Sequence, residues 1–265
     1  MYNFNYKCAG TLEEALTDLG GATDGSLLAG GMTILPTIKQ RLANPSDLID
    51  LAKINSLRGI SVEDNTIVIG AMTSHFLVAN NDDVRSKIPA LADLAESIGD
   101  PQVRNRGTIG GSIANNDPAA DYPAACLGLG ARIRTNLREI LADDFFKGLF
   151  ETALDEGEII TAVSFQIPEK ACYIKFPNPA SRYALVGAFV AKTEEGVRVA
   201  ITGANQDGVI RNVEMEEALS KNFVPDAIAG INVSPDNLNS DIHASSEYRA
   251  HLVGVMVKRA VAGCG

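Results

Sequence analysis

Gly99 to Asp121 reads GDPQVRNRGTIGGSIANNDPAAD, and this stretch decides how the chain is understood. It holds four glycines and two prolines among several Asn and Gln side chains. Yet Ile109, Ile113 and the small residues around them predict an ordered interior loop, because apolar anchors hold a loop in place. Within it, Thr108-Ile109-Gly110-Gly111-Ser112 offers two hydroxyls and consecutive backbone amides, a nest suited to an anion. No lysine follows the glycines and no G-x-G-x-x-G occurs, so neither a Walker A loop nor a Rossmann fingerprint is present. A ligand-free reading stays open, in which the loop's polar groups simply satisfy one another.

Working outward, a second glycine turn lies upstream at Ala29-Gly30-Gly31-Met32-Thr33. Ser26–Ala29 reads as a short buried strand, and Met32–Leu42 carries Ile34, Leu35, Ile38 and Leu42 at helical spacing, with Pro36 tolerated near the start. A strand-to-helix turn of this kind exposes unpartnered N–H groups beside a helix dipole, which attracts phosphate. A double-glycine turn with no ligand is the competing reading. Two such nests together imply a ligand with two phosphates, or one phosphate gripped from both sides.

The rest of the N-terminal region reads as small α/β units. Tyr2–Tyr6 alternates, Thr11-Leu-Glu-Glu14 is a capping box for a helix through Leu19, and Ser46–Leu51 is a strand. Gly59–Gly70 is a hairpin turning at Asp64-Asn65, Ile88–Ile98 a helix, Tyr122–Leu127 another, and Ala131–Thr135 a strand. From about Glu158 longer strands take over at Ile159–Ile167, Cys172–Phe176, Leu185–Thr193, Val197–Ala204 and Val209–Val213. Helices follow over Glu214–Ser220, Pro225–Ala229 and Ser245–Ala262, the last with Tyr248, Leu252, Val255, Met256 and Arg259 at helical spacing. The change of pattern predicts a second domain.

Composition narrows the function classes. The chain has 265 residues, 46% hydrophobic and 21% charged, as in an ordinary globular protein. Its net charge of −10 argues against nucleic acid or anionic membrane as a partner, since both require a basic footprint. The four cysteines (Cys8, Cys126, Cys172, Cys264) stand apart and read as reduced thiols of a cytoplasmic protein. His75, His243 and His251 are too scattered to suggest a metal site. No window approaches the roughly 18 apolar residues of a spanning helix, and MYNFNYKCAG lacks the pattern of an export signal.

Ala29-Gly30-Gly31-x-Thr33, followed by Arg104-Asn-Arg-Gly-Thr-Ile-Gly-Gly-Ser-Ile-Ala-Asn115, Asp117-Pro118 and Asp121, resembles the FAD-binding medium subunit of the molybdenum hydroxylases. That family includes the flavoprotein subunits of aerobic carbon monoxide dehydrogenase and of xanthine dehydrogenase-like enzymes. The likeness extends through Asp144-Phe-Phe146, Lys175 to Val190 and Asp241 to Arg249, so it spans nearly the whole chain.

The resemblance implies an α+β fold: an FAD-binding domain of the p-cresol methylhydroxylase/vanillyl-alcohol oxidase type over residues 1–168, in two subdomains meeting near 55–60. A small α+β C-terminal domain with an antiparallel sheet and helices would cover 169–265. It assigns Ala29, Gly30, Gly31, Met32 and Thr33, with Thr108, Ile109, Gly110, Gly111 and Ser112, to the FAD pyrophosphate, and Asp121 to the ribityl chain. A carboxylate suits that last role as an acceptor from hydroxyls, although Asp121 can also be read as the N-cap of the next helix. Lys175 and a flavin-side aromatic, Tyr183, fall at family positions near the ring, and Ile160 beside the adenine. Without the family, these three read as a solvated strand residue, a half-buried aromatic and a core residue. Met32 and Ser112 depart from the commoner family residues, so hydrogen bonding near the phosphates is expected to differ locally. Arg104 and Arg106 are read either as neutralising the pyrophosphate or as bracing the loop.

Neither glycine loop contains His or Cys, so the FAD is expected to be non-covalent. Molybdopterin and [2Fe-2S] clusters are expected only in partner chains, a large and a small subunit, in a dimer of heterotrimers. The implied role is electron transfer from those clusters through FAD to an external acceptor. A self-sufficient FAD-dependent oxidase or dehydrogenase and a non-catalytic nucleotide-binding assembly subunit are the alternatives.

Overall fold

Thr11 starts the first helix much as its capping signature predicts, with Oγ1 accepting the Glu14 N–H at 3.1 Å. Glu14 reaches back to the Gly10 N–H at 2.7 Å, one residue earlier than a standard capping box. The computed structural model describes residues 1–264. Its first fifty residues build β1 (Asn5–Cys8), α1 (Leu12–Gly20), β2 (Gly25–Leu28), α2 (Ile34–Lys39) and β3 (Asp47–Asp50). These strands form a parallel sheet in the order β1-β3-β2. Helix α2 is shorter than the apolar spacing predicts: Leu42 lies beyond its end and is exposed.

A 3-10 turn at Asn55–Leu57 leads to the hairpin β4 (Ile60–Glu63) and β5 (Thr66–Gly70). Three helices follow, α3 (His75–Asn80), α4 (Asp82–Lys87) and α5 (Pro89–Glu96), of which the first two escape the sequence reading because each is only six residues long. Next, the segment read as an interior loop is two helices, α6 (Pro101–Arg106) and α7 (Ile109–Asn115). The signal was present in Asp100-Pro101: Asp100 caps α6 through the Val103 N–H at 2.9 Å, and Pro101 occupies the first turn. Glycine and asparagine content masked it.

After α8 (Tyr122–Gly128) come β6 (Arg132–Thr135), β7 (Glu139–Leu141), the short helix α9 (Ala142–Phe145), the small hairpin β8 (Phe146–Gly148) and β9 (Glu151–Thr152), and β10 (Ile160–Gln166). β10 completes an antiparallel sheet in the order β4-β5-β10-β6-β7. The chain then forms the antiparallel meander β11 (Lys170–Pro177), β12 (Ala184–Thr193), β13 (Gly196–Asn205) and β14 (Gly208–Arg211). It closes with α10 (Val213–Lys221), a 3-10 turn at Pro225–Ile228 and α11 (Ser246–Gly263).

The meander is buried on both faces. Val186, Ala188 and Val190 of β12 pack with the α10 and α11 side, while Phe189 and Ala191 join the larger core around α5, α8 and β10. This two-residue alternation explains why β12 reads as a continuous apolar run. Gly128 lets α8 press onto that face, since a Cβ there would lie 2.5 Å from Phe189. On α11 the buried stripe runs through Arg249, Leu252, Val253, Met256, Val257 and Ala260. Of the residues read at helical spacing, Tyr248 and Arg259 are exposed, Tyr248 meeting Phe176 edge-on. No helix among the described residues is long and apolar enough to cross a membrane.

Candidate cofactor-binding cleft

The turn after β2 is held open by backbone geometry. Gly31 has φ +76°, in the left-handed region that favours glycine. Gly30 packs directly on the next glycine segment: a Cβ there would strike the Arg106 carbonyl and lie 2.7 Å from Gly107 Cα. Among the described residues no acceptor meets the N–H groups of Gly30, Gly31, Met32 or Thr33. Thr33 precedes α2 but makes no side-chain capping bond. A run of free amides therefore borders the cleft, as the anion reading requires.

The second loop behaves differently. Thr108 caps α7, its Oγ1 accepting the Gly111 N–H at 3.1 Å. Ile109 donates to Thr73 O at 3.1 Å, Gly110 to Ala71 O at 2.9 Å and Ser112 to Thr108 O at 3.0 Å. The consecutive amides expected to be free are thus spent within the protein, because this loop is the first turn of a helix docked on the chain after β5. Gly110 serves that docking: a Cβ would sit 2.6 Å from Ala71 Cβ. Thr108, Gly110, Gly111 and Ser112 border the cleft, whereas Ile109 is fully buried beneath it.

Further lining comes from the connection between α7 and α8, the start of β10 and the β11–β12 loop. Asp121 is buried and is not a side-chain N-cap. Its carboxylate accepts from the Tyr173 hydroxyl and from Lys175 Nζ at 3.1 Å, and Nζ also donates to Ser97 O at 3.0 Å. Burial pushes the Asp121 pKa up against the opposing pull of Lys175 and Tyr173. Lys175 is neither solvated nor part of the cleft surface; it stands behind Asp121 as its buried counter-ion. Ile160 forms part of the wall, and Tyr183 stands at the rim, 45% exposed. The preceding residue, Arg182, has φ +63° and donates from Nη1 to Gly99 O at 3.0 Å, tying the β11–β12 loop to α6. Arg104 braces its own segment through Ile98 O at 3.0 Å and Gly99 O at 3.3 Å.

Two further cleft residues bear ionisable groups: Asp117, quoted in the family motif but given no role there, and His75, which the sequence reading left outside the cleft. Asp117 has its carboxyl pKa raised by burial, against a bond from the Ala119 N–H. His75 is 5% exposed and lies beside the second loop. His75 stands in no recognisable spacing pattern, and only the pairing of Ser74 with Thr108 brings it to the cleft. The cleft measures ≈ 600 Å³, within the range of cofactor and ligand sites. Free amides at one wall, a buried carboxylate at the other and an aromatic at the rim fit an elongated dinucleotide with polyol and planar ring.

A sequence model described as "FAD binding domain in molybdopterin dehydrogenase" matches residues 2–169. The chain belongs to that family. It is 34% identical over 276 residues to the carbon monoxide dehydrogenase medium chain of Hydrogenophaga pseudoflava, covering 97% of this chain and 96% of that one. Identity is also 34%, over 273 residues, with the glyceraldehyde dehydrogenase medium chain of Sulfolobus acidocaldarius, at 97% and 96% coverage. A solved structure of the Hydrogenophaga pseudoflava carbon monoxide dehydrogenase, in a form lacking the Mo-pyranopterin moiety of its cofactor, superposes with TM-score 0.89. That match has 33% identity and covers 99% of this chain and 97% of the other. The chain is thus an FAD-binding flavoprotein subunit of the molybdenum hydroxylase family and an oxidoreductase component, as the resemblance in its motifs implied.

Proposed function

We propose that this chain is the electron-transfer subunit of a cytoplasmic molybdenum hydroxylase, with non-covalent FAD lying along the cleft between the glycine loops and the meander. The free amides of Gly30 to Thr33 carry this reading, because they supply donors to a diphosphate that the acidic chain could not attract by net charge. Bound there, FAD supplies exchange between one-electron carriers and a two-electron acceptor. The protein's part is to bind and orient it. Ala29 to Thr33 grip the diphosphate; Thr108, Gly110, Gly111 and Ser112 shape its other side, with Ile109 supporting them from below. Asp121, held by Tyr173 and Lys175, accepts from ribityl hydroxyls, Ile160 flanks the adenine and Tyr183 covers the flavin side.

In this reading residues 1–168 are the FAD-binding unit, in two parts meeting near 55–60, and 169–265 the C-terminal unit. Electrons arrive from [2Fe-2S] clusters of a small subunit, and substrate chemistry belongs to a large molybdopterin subunit, in a dimer of heterotrimers. The medium-chain names of the relatives support this division.

Titrating the full chain with FAD tests the site. Wild type should quench flavin fluorescence and acquire a bound-flavin spectrum. Gly111→Val, whose Cβ would crowd Thr108 Oγ1 at 3.0 Å and Ala29 Cβ at 3.3 Å beside the cleft, should weaken binding at least tenfold. Gly110 is unsuited to this test because its substitution strikes Ala71 and damages the fold. A wild-type chain that remains colourless with excess FAD would refute the proposal, and native enzyme active as a lone monomer would refute its partner assignment.

A further inference from the structure

His75 opens α3 directly against the meeting point of the two glycine loops. An isolated bridge joins Ser74 to Thr108, and the His75 N–H donates to Gly107 O at 3.0 Å. This pairing lays the imidazole on Gly107, where an added Cβ would stand 2.5 Å from His75 Nε2. Gly107 Cα in turn is the atom that a Cβ on Gly30 would approach to 2.7 Å. Gly30, Gly107 and Nε2 therefore converge at one place, and all three residues border the cleft.

The other side of the ring is closed off. It packs on Tyr122 with centroids 5.3 Å apart, and Nδ1 is sealed from solvent without a hydrogen-bond partner. The Nε2 edge is what remains to face the cleft. A neutral imidazole has one donor and one acceptor nitrogen, and a ring this buried ordinarily finds a partner for its polar atoms. The second loop has spent the Ile109, Gly110, Gly111 and Ser112 amides on Thr73, Ala71 and Thr108, so from that side an anion at this junction meets the Thr108 N–H and the Thr108 and Ser112 hydroxyls, to which Nε2 would add a rigid, buried donor.

We propose that His75 is a cofactor-binding residue whose Nε2–H donates a hydrogen bond to a diphosphate oxygen where the two glycine loops meet. The inference rests on the FAD reading above and adds a side-chain donor to it. Burial, reinforced by Arg104, holds the imidazole pKa down at about 4. The residue thus acts as a neutral dipole, with Nε2 as the protonated nitrogen.

The test uses the full chain freed of nucleotide, as wild type, His75→Leu and His75→Gln, titrated with FAD and with ADP, which share the diphosphate. Loss of one hydrogen bond to a charged acceptor should raise both dissociation constants about tenfold in His75→Leu. His75→Gln, which retains an N–H donor, should stay within about threefold of wild type on the same reasoning. Wild type labelled with 15N-histidine gives a readout independent of how the variants fold: ADP should shift the His75 Nε2 resonance and leave His243 and His251 in place. Unchanged affinities in a folded His75→Leu, an equal loss in Leu and Gln, or an unmoved resonance would overturn the inference while FAD binding stands. A loss confined to FAD would overturn the diphosphate assignment. Wild type binding neither nucleotide would instead overturn the FAD reading, and this inference with it.

Discussion

His75 also links the cleft to acid stability. Its folded pKa of about 4 lies below the model-peptide value of 6.5, so the unfolded chain binds the extra proton first as pH falls. Its contribution is complete above pH 6.5 and is lost on descending towards pH 4, where Arg104 and the apolar surroundings still oppose charging. His75→Gln should therefore flatten the dependence of unfolding free energy on pH between 6.5 and 4, by up to about 3 kcal/mol across the window. Urea denaturation at a series of pH values checks this, and an unaltered slope would assign the acid sensitivity to other groups. At the same scale, the glycines divide by cause: Gly31 is required by its positive φ, Gly30 and Gly110 by close packing.

Among the elements, α11 shows how one side chain can secure a helix to a sheet. Arg249 is 3% exposed and donates from Nη1 to Leu185 O at 2.6 Å and Gly203 O at 3.0 Å, and from Nη2 to Asp241 at 2.8 Å. It satisfies carbonyls at the start of β12 and near the end of β13, where Gly203 adopts φ +81°. Arg249→Met would fill similar space but leave those carbonyls unmet in the core. The expected cost is about 3–5 kcal/mol, read from the midpoint and slope of chemical denaturation. Hydrogen exchange should locate the loss in β12, β13 and α11.

Across the whole molecule, the Asp121–Lys175 pair joins the entry of α8 to β11, with Ser97 at the end of α5 as a third contact. It fastens the meander to the N-terminal core at the wall of the cleft. Lys175→Met would strand a buried carboxylate with Tyr173 as its remaining side-chain partner, at an expected cost of about 3–5 kcal/mol at neutral pH. The double variant with Asp121→Asn should recover much of that stability, since the uncompensated charge is gone. Denaturation of both variants decides the matter; no recovery in the double variant would mean that the pair acts through packing alone.

The sequence by itself determined most elements and the family. Alternation and helical spacing located β2 through β5 and the meander, while the stretch read at Tyr2–Tyr6 shares only Asn5 and Tyr6 with β1, and the two glycine motifs identified the flavoprotein subunit. These are local signals, set by backbone conformation and by which face each residue presents. Tertiary structure alone decided that the Ile109–Ser112 amides are consumed by Ala71, Thr73 and Thr108, that Ile109 lies beneath the cleft, and that Lys175 stands behind Asp121. It also brought His75 to the cleft and turned Arg249 inward. Each of those outcomes depends on hydrogen-bond partners or packing surfaces distant in the chain, such as β11 against α5. A pattern of residue types records that a glycine or a charge is needed; only the packed neighbours determine whether it serves a ligand or the fold.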